Sequence, residues 1–200
     1  MNLKLQTGPA TEPVTITEAK DHLRVTVSDS DTLITALIVA ARRICEEWTH
    51  RAFIEQTWDL GLDLTNRGPF TSPWEWSQFD TLIKIPRPPL ISVTHIKTFD
   101  EENVEAIFDA AGYFVDVQSE PGRIALNDGY SWPTDVRAIN AMSIRFKGGY
   151  GTAASSVPQD IRTAILLAIA HLFEHRGDDA GESLPDVAEV LLSPYRIRLV

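Results

Sequence analysis

The sequence predicts an α+β protein: a helical core of two long helices plus short helices, with an inserted antiparallel β-subdomain. Three observations lead there. Apolar residues recur at helical period over residues 31–49 and again over residues 161–172, the spacing of a helix with one buried face. Between these stretches the period falls to two, and Gly, Pro, Asn and Asp cut the chain into short runs, the pattern of antiparallel strands joined by turns. Each helical segment also carries a stripe that it cannot bury alone. The expected division is therefore an N-terminal arm and helical segment (1–55), an inserted β-subdomain (56–146), and a C-terminal helical segment with a tail (147–200). The first and last are expected to form one helical domain.

Taken in order, residues 1–13 read as an extended arm broken by Pro9 and Pro13. Thr15-Ile-Thr-Glu18 fits a capping box, with Thr15 or Thr17 as N-cap of a short helix over residues 18–23. Ser28-Asp-Ser-Asp31 supplies the next N-cap and an acidic first turn. In the helix that follows, Leu33, Leu37, Ala41, Ile44 and Trp48 form the stripe assigned to the core. Ile34, Ile38 and Cys45 lie beside it, and Arg42, Arg43, Glu46 and Glu47 are placed on the other face.

From Gln56, Trp58, Leu60, Leu62 and Leu64 alternate with polar residues and glycine, as in a half-buried strand. Residues 66–80, with Trp74 and Trp76 among prolines, read as a long loop. Aromatics in such a place either cap a core or meet a partner. Short strands are expected over residues 82–85, 92–99, 104–108, 113–117, 123–126 and 141–146, making one compact antiparallel subdomain. Gly148-Gly-Tyr-Gly151 and residues 153–156 connect to a second long helix. Pro158 is placed at its first helical position, and Ile161, Ile165, Ala168 and Leu172 on its core face. Residues 177–185 read as an acidic loop, residues 186–192 as a last short helix, and Pro194 as its stop before a basic and apolar tail.

Composition narrows the function. Of 200 residues, 44% are hydrophobic and 23% charged, as in ordinary globular domains. The formal net charge of −10 argues against nucleic acid as a gripped ligand, because phosphate binding needs clustered Lys and Arg. The single cysteine, Cys45, precludes an intramolecular disulfide and is read as a small buried hydrophobe. No leader-like segment and no apolar run long enough for a bilayer are seen, so the chain is expected in a reducing cytoplasm.

Enzyme chemistry finds little support. His171 and His175 lie one helical turn apart, a spacing that suits zinc, with Asp178 or Glu182 as further ligand candidates. The order does not fit the metalloprotease helix pattern, and the pair reads better as a polar helix edge or subunit contact. The glycine cluster at 148–151 lacks a P-loop lysine, and Ser155 and Ser156 lack a nucleophile elbow. No catalytic residue, cofactor or metal is assigned. A small metal-dependent hydrolase using His171 and His175, or a monomeric binding module on the β-insert, are the alternatives.

Several segments together resemble the phage head–tail connector proteins of the gp6-like and gp8-like type, which also occur in gene transfer agents. They are Val14-Thr-Ile-Thr-Glu-Ala-Lys-Asp-His-Leu-Arg-Val25, the acidic stretch and long helix after it, Arg51-Ala-Phe-Ile-Glu-Gln-Thr-Trp58, and Ile85-Pro-Arg-Pro-Pro-Leu-Ile-Ser-Val-Thr-His-Ile-Lys97. Tyr113 to Asp116, Pro121-Gly-Arg123, Phe146-Lys-Gly-Gly-Tyr-Gly151, Val157-Pro158 and Leu192-Ser-Pro-Tyr-Arg196 follow in the same order. The resemblance implies a non-enzymatic adaptor at the head–tail interface of a virion or phage-like particle, assembled in the bacterial cytoplasm. Its implied partners are further copies in a homo-oligomeric ring, a dodecamer, the portal protein, and a downstream stopper or tail protein. Double-stranded DNA would pass through the lumen without specific binding, and no membrane is involved. Family precedent and the alternating tail together suggest portal docking by Pro194, Tyr195, Arg196, Ile197 and Arg198.

Overall fold

The computed structural model describes residues 2–65, 68–70, 82–175 and 184–197. The chain divides into two units, each assembled from separated stretches of sequence: Met1–Gly8 with Glu55–Gly149, and Pro9–Ile54 with Tyr150–Leu199. It combines helices with antiparallel sheets, an α+β protein.

In the first unit the described strands are β1 (Asn2–Thr7), β2 (Gln56–Thr65), β3 (Gly68–Phe70), β4 (Ile83–Ile85), β5 (Leu90–Phe99), β6 (Glu105–Ile107), β7 (Tyr113–Asp116), β8 (Gly122–Leu126) and β9 (Met142–Gly148). They form two antiparallel sheets within the one unit. The larger has the order β1-β2-β9-β5-β6, with β3 also on β2, and the smaller has the order β4-β8-β7. The N-terminal arm is thus partly an edge strand, Leu3 opposite Leu60 and Leu5 opposite Trp58. Strand β3 falls where a loop was expected, while Trp74 and Trp76 lie outside the described residues.

Register follows from the alternation. Leu60, Ile144 and Ile96 stand opposite one another across β2, β9 and β5, all fully buried. Ile83, Ile85 and Ile124 from the smaller sheet join them in one core with Leu62, Met142 and Phe146. Burying each such side chain contributes roughly 1.5–3 kcal/mol. At the end of β9 a Cβ on Gly148 would stand 2.6 Å from the Arg87 carbonyl oxygen, so only glycine lets the backbones approach there. Gly149 and Gly151 carry positive φ angles of 134° and 153°, and the glycine cluster is a turn between units.

In the second unit the helices are α1 (Ile16–Leu23), α2 (Asp31–Thr49), α3 (Gln159–Glu174) and α4 (Asp186–Leu192). Thr15 caps α1: its hydroxyl accepts from the Glu18 N–H, and the Glu18 carboxylate accepts from the Thr15 N–H at 2.8 Å. Helix α2 begins at Ser30, whose side chain makes no capping bond. It ends with His50 in the left-handed region and with the His50 and Arg51 N–H groups donating to the Glu47 and Glu46 carbonyls. Pro158 stands at the N-cap of α3, one place before the expected first helical position.

Helices α2 and α3 pack on one another, as do α3 and α4. The core is made largely of Ile34, Ile38, Ala41, Cys45, Ile161, Ala164, Ile165, Ala168, Ile169, Ala188 and Leu192. This corrects the stripe expected on α2. Ala41 is fully buried, as are Ile161, Ile165 and Ala168 on α3, but Leu33 is 38% exposed. Leu37, Ile44, Trp48 and Leu172 are only partly buried against the core. The buried face lies about one residue around the helix, along Ile34, Ile38, Ala41 and Cys45. It also takes in Arg42 and Glu46, which the sequence placed outside.

The reason is a closed ionic network. Arg42 donates through Nη1 to Glu46 at 2.5 Å and through Nε to Glu12 at 2.7 Å. The other oxygen of Glu46 accepts the Phe53 N–H at 2.9 Å. Burial opposes the Arg42 charge, but Glu46 and Glu12 more than offset it and hold its pKa above the ordinary value. A buried charge is tolerated when paired and hydrogen-bonded in this way.

Candidate functional site

The side chains expected to carry chemistry do not converge. His171 and His175 stack with ring centroids 4.5 Å apart, and His175 Nδ1 lies 3.0 Å from the His171 carbonyl oxygen. Asp178 and Glu182 lie outside the described residues. Among the described residues no three His, Cys, Asp or Glu side chains gather as metal ligands. Cys45 is buried, and burial pushes its thiol up to about 12. A thiol held protonated in this way is a poor nucleophile. Ser155 and Ser156 belong to a short 3-10 turn ahead of α3.

The C-terminal segment is organised by its own unit. Residues 193–195 continue α4 as a 3-10 turn containing Pro194, so the proline does not start an extended tail there. Arg51 Nε donates to the Tyr195 carbonyl, and the Ile197 N–H donates to the Thr49 carbonyl at 3.0 Å. Tyr195 packs against the helical core, with its hydroxyl 3.4 Å from Asp160. Burial first, and then Asp160, raise its pKa. Of the tail residues named for docking, Pro194 lies in the turn that follows α4, while Tyr195, Arg196 and Ile197 meet Arg51, Asp160, Trp48 and Thr49 at the end of α2 and the start of α3. Arg198 is outside the described residues.

This folding back builds a surface. The Arg196 guanidinium sits over the Trp48 ring, 4.5 Å from its centroid, a cation–π contact. Two shallow grooves meet at that indole. One is lined by Trp48, Asp186, Glu189, Val190, Ser193 and Arg196, the other by Arg43, Ile44, Glu47 and Trp48. The apolar flank of α2 that the core leaves uncovered runs into them, and Val187 and Val190 on α4 are 61% and 69% exposed. Sequence reasoning named Trp48 and Ile44 but as core. Both are partly buried against the core and line the grooves with the rest of their surface. The signal is the width of the apolar arc on α2, more than α1 and α3 cover.

No protein-family model and no curated protein matches the sequence. Solved structures do match the fold. A chain in "Neck of empty GTA particle computed with C6 symmetry" aligns with TM-score 0.79 at 25% identity, covering 100% of this chain and 98% of that one. A chain in "Virion of native gene transfer agent (GTA) particle" aligns at 0.78 and 24% identity. A chain in "Neck of native GTA particle computed with C12 symmetry" aligns at 0.77 and 24%, both with the same coverage. The protein is thus similar over its whole length to structural chains of gene transfer agent particles.

Proposed function

We propose that the chain is a structural neck subunit of a gene transfer agent or tailed phage. It acts as a non-enzymatic adaptor that forms a ring under the portal and joins head to tail. The observation that carries this reading is the end-to-end alignment with a chain of a GTA particle neck at TM-score 0.79 and 25% identity. The resemblance of sequence segments to head–tail connectors, in the same order along nearly the whole chain, also supports it.

The physical chemistry suits the role. A net charge of −10 per copy, repeated in a dodecameric ring, sets up a repulsive field screened over about 8 Å at physiological salt. DNA would pass the lumen without being held, because phosphate contacts that slow passage need cationic clusters. In this reading the portal protein and a stopper or tail protein are the neighbours. The C-terminal segment from Pro194 to Arg198 docks on the portal, and its start is preorganised, because Arg51 and Thr49 already hold the Tyr195 carbonyl and the Ile197 N–H.

Electron microscopy of particles carrying a tagged copy of the chain tests the reading. Label at the neck, repeated around the channel axis, is the expected result. Particles that assemble and join tails with no label at the neck would overturn it.

A further inference from the structure

We infer that the double groove centred on Trp48 is a contact surface for a second copy of this chain. This deepens the neck reading, from which it takes only that copies of the chain stand side by side.

The groove has the make-up of an interface centre. Ile44, Trp48 and Val190 supply apolar surface, and Trp and Arg are the side chains that most often anchor interfaces. Arg196 holds the indole by its face, 4.5 Å from its centroid. The ring is therefore fixed before any partner arrives, and little order is lost on binding.

Charge decides the occupant. Two copies of a chain with net charge −10 repel, so they can meet only where the local charge is balanced and both signs are present. The rim of the groove has that mixture: Arg43 and Arg196 stand among Glu47, Asp186 and Glu189. Another exposed apolar spot offers a contrast. Val104 and Ile107, 61% and 69% exposed at the β5–β6 turn, sit in Asp100-Glu-Glu-Asn-Val-Glu105. Even with Lys97 paired to Glu105, that setting is more acidic than the rim of the groove and disfavours a second acidic copy. The mixed-sign groove admits one, and its few apolar side chains make the contact weak for a single pair and additive around a ring.

The test uses the full chain in sedimentation velocity over a wide concentration range, at low and at high salt. The wild type is expected to self-associate with rising concentration, more strongly at high salt because screening removes the general repulsion. Val190→Asp and Ile44→Asp are expected to weaken association at least tenfold, with unchanged circular dichroism for Val190→Asp, whose side chain is mostly exposed. Ile107→Asp, in the other unit, should associate like the wild type. A wild type that stays monomeric at every concentration and salt overturns the inference. So does association that Val190→Asp leaves intact, including the case in which that variant loses only portal binding. The neck reading is judged separately by where the wild-type chain is found in particles. A chain at the neck whose association ignores the groove removes this inference alone. A chain absent from necks that associates through the groove removes the neck reading alone.

Discussion

The two units solve the problem of burial in opposite ways. The β unit fills its core with large aliphatics and Phe146, in strands whose alternation sends one side inward and the other outward. The helical unit fills its core with small residues, Ala19, Ala41, Cys45, Ala164, Ala168 and Ala188 among its isoleucines, and admits the Arg42–Glu46 pair. Small residues let helices approach closely, which leaves the bulkier Leu33, Ile44 and Trp48 on the flank. The β unit leaves single apolar side chains exposed on its strands and turns, Ile107, Phe114 and Ile139 among them. A helix with a wide apolar arc has part of that arc left over, and in this chain that remainder lies beside the C-terminal turn.

The largest expected effect probes the ionic part of that contrast. Glu46→Ala removes the partner of buried Arg42 and the acceptor of the Phe53 N–H. Removing one member of a buried pair costs about 3–5 kcal/mol, so chemical denaturation should show a large fall in midpoint. A change below about 1 kcal/mol would mean that Arg42 reaches water and that the network is not part of the core.

Next in size is a pair that tests the rotated stripe. Ile38→Ala should cost about 2–5 kcal/mol, as for a buried aliphatic. Leu33→Ala, one face around the same helix and 38% exposed, should fall within about 0.5 kcal/mol of the wild type. Equal losses would restore the stripe as first assigned. Ile165→Ala, on the facing surface of α3 and fully buried, should fall in the same range of about 2–5 kcal/mol.

These variants also mark what could be seen in the sequence. The bounds of α2 and the run of β2 were legible because both are set by local period. The face of α2 was not, since Glu12 lies 30 residues from Arg42 and nothing local says that the pair would be buried. The small residues misled in the same direction: Ala and Cys weigh little in a hydrophobic count, yet they mark where α3 comes close. Strand existence was legible but pairing was not, because β2 meets β9 across some 86 residues, as in Asp59 with Arg145. The 3-10 turn at residues 193–195 was not legible, because its anchor Arg51 lies 144 residues away from Tyr195 in the sequence. For the candidate surface, the sequence named Trp48 and Arg196 but could not put one over the other.

A smaller effect is expected at the start of the helical unit. Thr15→Ala removes the hydroxyl that accepts the Glu18 N–H, and loss of an N-cap costs about 1 kcal/mol. Thermal unfolding should report a modest fall, and Thr15→Ser should restore most of it.

The smallest effect lies on the polar face of the larger sheet and depends on pH. The Asp59 carboxylate accepts from Arg145 Nε at 2.7 Å and Nη2 at 2.8 Å across β2 and β9. That bidentate bond, against the pull of partial burial, holds the Asp59 pKa below the usual carboxylate value. A carboxyl whose pKa is lower folded than unfolded stabilises the fold above its unfolded pKa of about 3.9 and loses that contribution as pH falls through the folded value. The wild type should therefore lose stability as pH falls below about 4, with part of the loss due to this pair. In Asp59→Asn that part is absent, so the stability curve should be flatter at its acid end and the difference from wild type should vanish there. Near neutral pH the difference should stay below about 1 kcal/mol, because both groups are partly exposed and water screens the pair. A larger gap at neutral pH, or one that persists at low pH, would mean that Asp59 acts through packing rather than through its charge.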